Sequence, residues 1–257
     1  MEIIIVSLVS FLAAVLTFFS GFGLGTLLTP VMLLYFPVEV AIALTGIVHF
    51  SNNIFKLFMV GGYVDKGVLF RFGFPAIVAA FVGSSLLFYL DDEIIVYSYS
   101  LFGSIREISL VKFLVSLLLL LFALIDLIPF FGTLQFGYKR LPLGGVLSGF
   151  FGGLTGNQGA LRTAFLIKVG LEKKVFIGTT VVISSLVDFT RLGVYTNHLL
   201  HLDLSAYYTL AFTAILAGVL GSFLGNKLLT KITLSAIRTL VAILILLLAV
   251  GLLLGVL

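Results

Sequence analysis

Long apolar runs separated by short polar breaks set the plan of this chain. In order they cover 3–19, 26–36, 39–62, 67–90 and 110–131, then 142–154, 160–169, 174–195, 204–225 and 233–256. An α-helix rises ~1.5 Å per residue and a bilayer core is about 30 Å thick. Runs 39–62, 67–90 and 110–131 are therefore long enough to cross, as are 174–195, 204–225 and 233–256. The runs 142–154 and 160–169 are not; each reaches only to about mid-membrane. Each of these two is one arm of a hairpin, or the pair is one span broken at its centre. The pattern predicts an all-α polytopic membrane protein.

The breaks recur. Residues Ser20 to Pro30 interrupt the first apolar run with glycines at 21, 23 and 25, and Gly153 to Arg162 interrupt a run in the second half. Gly25 pairs with Gly159, Thr45 with Thr180, Lys56 with Arg191, Asp65 with Asp203, and Gly83-Ser84 with Gly221-Ser222. The chain therefore reads as a duplication, 1–131 and 132–257. Charge placement selects the hairpin. With each broken run returning to its own side, Lys66, Arg71, Lys139, Arg140, Lys168, Lys173, Lys174, Lys227 and Lys231 share one face. The other face takes Glu39, Asp91, Asp92, Glu93 and Asp203, with Arg106 and Lys112. This is a positive-inside distribution. Each half then holds a re-entrant helical hairpin plus three full transmembrane helices, and an odd number of crossings inverts the second repeat relative to the first. The last run of each half carries the fewest polar residues and is expected to face lipid.

Composition agrees. With 61% hydrophobic and 10% charged residues and a mean hydropathy of +1.28, the chain lacks the roughly one-quarter charged residues of a water-soluble domain. A formal charge of +4 is too small to indicate nucleic acid as a partner. The absence of cysteine removes disulfides, thiolate metal sites and cysteine nucleophiles. The apolar run from Ile3 lacks a basic leader and is read as mature structure. The three histidines show no metal-ligand spacing, and the glycine run lacks the strand that a nucleotide site requires. Neither a cofactor nor an enzymatic constellation is expected.

The candidate chemistry lies at the breaks and on two polar stripes. Short helices starting near Thr26 and Ala160 would bring unpaired backbone N–H groups and the positive ends of two dipoles to mid-membrane, which suits a small anion. Gly23 and Gly25 allow close backbone approach, Asn157 and Gln158 add amide donors, and Arg162 adds a charge. Alternatively, the glycines serve close helix packing. Thr45, His49, Asn53 and Lys56 fall on one helical face, with Asn52 beside them, and Thr180, Ser184, Asp188 and Arg191 repeat that spacing. Polar groups in a membrane face a bundle interior or a watery cavity, so the stripes read as facing walls of a pathway. Lys56 and Arg191 could instead snorkel to the surfaces, and Asp188 could simply neutralise Arg191. His49 and Asp126 are candidates for proton coupling, with structural roles as the alternative.

These residues resemble the sulfite-exporter-like TauE/SafE family of membrane transporters. The resemblance rests on Gly21 to Gly25 with Pro30, the polar helix through Asn52 and Asn53 to Lys56, and Gly62 to Asp65. In the second half it rests on Gly153 to Gly159, Thr179-Thr180, and Arg191 before Tyr195. It implies an alternating-access exporter of a small sulfur-containing oxyanion such as sulfite or an organosulfonate. Such a protein would sit in the cytoplasmic membrane of a prokaryote, with the lipid bilayer and the anion as partners. An anion channel, a membrane scaffold or receptor, and a homo-oligomeric assembly remain open on sequence alone.

Overall fold

The computed structural model describes residues 1–18, 21, 23–87, 94–101, 103–128, 137–199, 204–228 and 234–255. The first half comprises α1 (Glu2–Thr17), α2 (Gly25–Met32), α3 (Val38–Val60), α4 (Lys66–Leu87), strands β1 (Ile95–Leu101) and β2 (Ser104–Ser109), and α5 (Leu110–Leu127). The second comprises α6 (Leu141–Thr155), α7 (Gly159–Leu166), α8 (Lys173–Leu199), α9 (Tyr208–Leu228) and α10 (Leu234–Leu253). Local chemistry explains several starts. Pro37 precedes α3 and Pro142 sits in the first turn of α6, where a missing N–H costs nothing. The Asp65 carboxylate accepts the Val68 N–H at 2.8 Å and the Ser109 hydroxyl accepts the Lys112 N–H at 3.3 Å, capping α4 and α5. Within α4, residues Leu69–Gly73 form a π-turn.

The protein is an all-α polytopic membrane protein. Among the described residues, Val40–Val60, Lys66–Leu87, Lys173–Thr196 and Tyr208–Lys227 are long and apolar enough to cross a membrane. The closing helices of the two halves are α5, of 18 residues, and α10, of 20. They lie against each other and expose Leu117, Leu121, Leu244 and Leu247, the lipid-facing character expected of them. The acidic residues 91–93, Asp203 and Lys231, and the side chain of Glu39, lie outside the described residues.

The α6–α7 unit is a hairpin. Arg71 stacks its guanidinium 4.7 Å from the centroid of the Tyr138 ring, just before α6. Lys174, at the start of α8, lies 5.4 Å from the centroid of Tyr63, and the Asp65 N–H donates to Thr179 Oγ1 at 2.9 Å. The chain thus enters α6 and leaves α7 at the same end of the bundle, where a single broken crossing would separate them. Gly156 makes the reversal, with φ +75° in the left-handed region. The α1–α2 unit behaves alike from the other end, where Phe36 packs edge-on against Tyr207 at 5.3 Å.

Helix pairing exchanges the halves. The first helix of each packs along the fourth of the other, α1 on α9 and α6 on α4, while α3 pairs with α8 and α5 with α10. Glycine permits the closest approach. A Cβ on Gly145, Gly149 or Gly153 of α6 would stand 2.2, 2.0 or 2.3 Å from the carbonyl oxygens of Phe72, Ala76 or Ala80. On α9, a Cβ on Gly221 would stand 2.3 Å from Phe11 O. Small residues at such spacing let membrane helices meet backbone to backbone, so van der Waals contact replaces the missing hydrophobic drive. Gly149→Val should therefore lower stability by about 1–3 kcal/mol or more, seen as earlier thermal unfolding in detergent. An unchanged transition would show that α4 and α6 can separate freely.

The moderately polar stretch from 91 to 112 contains a β-hairpin. β1 and β2 pair antiparallel, with Tyr99 opposite Arg106, and Gly103 turns with φ +78°. The Tyr97 and Tyr99 hydroxyls donate to the carbonyls of Leu253 and Leu254 at the end of α10, so they satisfy groups that a helix terminus leaves unpaired.

Candidate functional site

α3 and α8 cross antiparallel at the centre. A Cβ on Gly46 would stand 3.1 Å from the Leu192 side chain, and one on Gly178 would stand 2.5 Å from Val60 O. The two polar stripes consequently face each other. Between them Asp188 is surrounded by donors. Its Oδ2 lies 2.6 Å from His49 Nδ1 and accepts Asn53 Nδ2 at 3.0 Å. Its Oδ1 accepts Arg191 Nε at 3.0 Å and Gln158 Nε2 at 3.2 Å. The short His49 contact places the proton on Nδ1, as donor. Asn53 and Gln158 also donate to Ser184 Oγ, at 3.0 and 3.3 Å. Ser148 holds the Gln158 backbone by donating to its carbonyl at 3.0 Å. The network is buried throughout and forms a septum that joins both halves.

On the side where α4 and α8 begin lies a narrow polar cavity of about 10 Å³, room for a single water-sized sphere. Thr17, Phe18, Gly21, Gly23, Asn53, Lys56, Arg162, Thr180, Val181 and Ser184 line it. Lys56 and Arg162 are each 2% exposed and close enough for their charges to repel. Lys56 Nζ sits 5.3 Å from the centroid of the Phe18 ring. Arg162 donates from Nη2 to Gly21 O at 2.8 Å, while its Nε and Nη1 have no partner among the described residues. The ion pair of the interior, again among the described residues, is that of Asp188 with Arg191, with His49 hydrogen-bonded to the same carboxylate.

Beyond the septum lies the counterpart of this arrangement. A Cβ on Gly156 would stand 2.8 Å from Arg191 Nη1 and 3.3 Å from Thr29 Oγ1, and one on Gly25 would stand 3.4 Å from Gly156 O. The two breaks thus meet, as their expected convergence required. Thr29 Oγ1 and Thr45 Oγ1 are buried there without partners among the described residues.

The sequence candidates divide accordingly. Gly23, Asn53, Lys56 and Arg162 line the cavity, and His49, Gln158 and Asp188 build the septum with Arg191. Gly25 marks the contact of the two breaks. Asn157 is buried with neither side-chain polar atom partnered among the described residues. Asn52 goes elsewhere: its Oδ1 accepts Ser222 Oγ at 2.7 Å, tying α3 to α9. The Asp126 side chain lies outside the described residues. Snorkelling does not describe Lys56 or Arg191, since both are buried. Sequence reasoning missed Thr17 and Phe18 at the end of α1, and Ser148 in α6. Thr17 is the first polar residue before the glycine break, which was its available signal. Nothing in the sequence distinguished Phe18 from the lipid-facing aromatics.

One family profile, described as Sulfite exporter TauE/SafE, matches residues 6–252. The chain belongs to the sulfite exporter TauE/SafE family. The match spans both breaks and both stripes, so the TauE/SafE match covers the residues of the cavity and septum. No curated protein matches the chain. TauE/SafE membership identifies a membrane transporter family, and the apolar helices agree with an integral, multi-pass protein.

Proposed function

We propose that this chain exports a small sulfur-containing oxyanion, such as sulfite or an organosulfonate, by alternating access across the cytoplasmic membrane of a prokaryote. The observation that carries this reading is the pairing of Lys56 and Arg162 in one buried cavity without a carboxylate of their own among the described residues. Buried cations in a membrane are costly unless something neutralises them, and an anion from the cytoplasm does so. Arg162 offers unspent N–H donors, Lys56 its ammonium and Ser184 its hydroxyl.

The Asp188 network stands between this cavity and the Arg191 side, which supports alternating access over an open channel. An arriving anion competes with the Asp188 carboxylate for the same class of donors. Loosening Asp188 frees Arg191 and Gln158 to receive the anion beyond the septum. The likeness of the two repeats gives each side a cationic residue at the same stripe position, Lys56 and Arg191, so the two access states are near mirror images in chemistry. His49 holds one oxygen of Asp188 and is the candidate for coupling to protons.

Purified protein in liposomes tests this. Sulfite flux should saturate, should exchange against sulfite or a sulfonate loaded inside, and should accumulate against a gradient when driven. Flux that never saturates and cannot be driven uphill would establish a channel. Absence of flux for every anion would leave the scaffold reading.

A further inference from the structure

The cavity's charge balance says more than that its ligand is negative, and this inference rests on the proposed anion transport. Lys56 and Arg162 contribute two positive charges. The buried carboxylate among the described residues, Asp188, is already ion-paired with Arg191 at 3.0 Å and hydrogen-bonded by Gln158, Asn53 and His49. Thr17, Asn53, Thr180 and Ser184, the other polar side chains of the lining, are uncharged. Among the described residues the cavity therefore carries two uncompensated cations. We infer that the ligand bound between Lys56 and Arg162 is a doubly charged oxyanion, and that a singly charged sulfonate is the weaker ligand.

Coulomb interaction in a buried site decides between the two. A monoanion neutralises one cation and leaves the other facing both a like charge and a low dielectric. A dianion neutralises both and removes their mutual repulsion. The donors fit a ligand with oxygens on several sides. Arg162 Nε and Nη1 are unpartnered, and the Lys56 ammonium presents three donors. The Ser184 oxygen accepts from Asn53 and Gln158, which leaves its own O–H to donate. The Thr180 hydroxyl donates to Ile177 O at 2.8 Å, so it supplies no donor. The lining thus offers donors around a compact headgroup. Among its side chains Val181 and Phe18 are the hydrophobic ones, and Phe18 lies against Lys56.

The test compares sulfate with methanesulfonate, which share a tetrahedral sulfur and differ by one charge and a methyl group. Full-length protein is titrated with each at constant ionic strength and followed by thermal unfolding, since a ligand of the folded state stabilises by mass action. Half-maximal protection by sulfate should need at least about tenfold less ligand than by methanesulfonate. Lys56→Gln should reduce that ratio to near unity, while Lys56→Arg should retain it. Equal protection of the wild-type protein by both anions would overturn the dianion inference and leave anion transport standing. Protection by neither, with protection by a neutral or cationic solute, would overturn both.

Discussion

Replacing Asp188 by alanine should both unfold the centre of the bundle and stop transport. The carboxylate accepts from His49, Asn53, Gln158 and Arg191, and these donors come from both halves of the chain. Removing it strips His49 Nδ1 and Arg191 Nε of their acceptor, the latter a full charge, while Asn53 and Gln158 keep only Ser184 Oγ. Breaking a buried ion pair on one side typically costs about 3–5 kcal/mol, and each orphaned donor adds about 1–3 kcal/mol. Asp188→Asn keeps the shape and one acceptor oxygen, so it separates the two effects. It should lose less stability than the alanine variant but lose transport as completely, because Arg191 no longer has its counter-charge. Thermal unfolding and liposome flux, measured side by side, decide. Wild-type stability together with wild-type flux in Asp188→Ala would remove the septum from the mechanism.

Arg162 should behave in the opposite sense. It is buried, it donates one hydrogen bond to Gly21 O, and its remaining donors have no partner among the described residues. An unpaired ion in such a place costs several kcal/mol, against about 1.5–3 kcal/mol returned by a charged hydrogen bond. Arg162→Leu should consequently raise stability, by on the order of 1–3 kcal/mol, while abolishing saturable anion flux. Leucine already stands three residues beyond Gly25, at Leu28, as Arg162 stands three beyond Gly159. Leu28 is fully buried, so a short helix after a glycine break accepts that side chain in its first turn. A variant that is less stable than wild type would assign Arg162 to the scaffold instead.

These opposed signs separate residues that the sequence placed in one group. Helix boundaries were readable from hydrophobic runs, because membrane helices must be continuous and apolar, and glycine and proline mark their interruptions. The facing stripes were readable from spacing, since Thr45, His49, Asn53 and Lys56 share a helical face whatever they touch. What one sequence does not contain is the partner of each polar group. Asn52 and Asn53 are adjacent and identical, yet Asn53 reaches Asp188 while Asn52 turns to Ser222. That difference of about 100° around one helix becomes meaningful only once α9 is in place. Gly145, Gly149 and Gly153 show the same limit. Their four-residue spacing places them on one helical face, but does not say that α4 is the helix they receive. The hairpin from Ile95 to Ser109 was hidden for another reason: its alternation is short and half apolar on both faces, with Ile94, Ile95, Val96 and Ile105 exposed.

The exchange of first and fourth helices also bears on the order in which the chain can be made. The Ser10 hydroxyl donates to Ala214 O across 204 residues of sequence, and Gly218, Gly221 and Gly225 close on the same helix. During synthesis α1 must therefore wait in the bilayer until α9 has emerged, while α4 waits only for α6 directly after α5. The nascent first half holds an open seam of backbone and small side chains for most of translation. The last-made helices do not decorate a finished bundle; they close it.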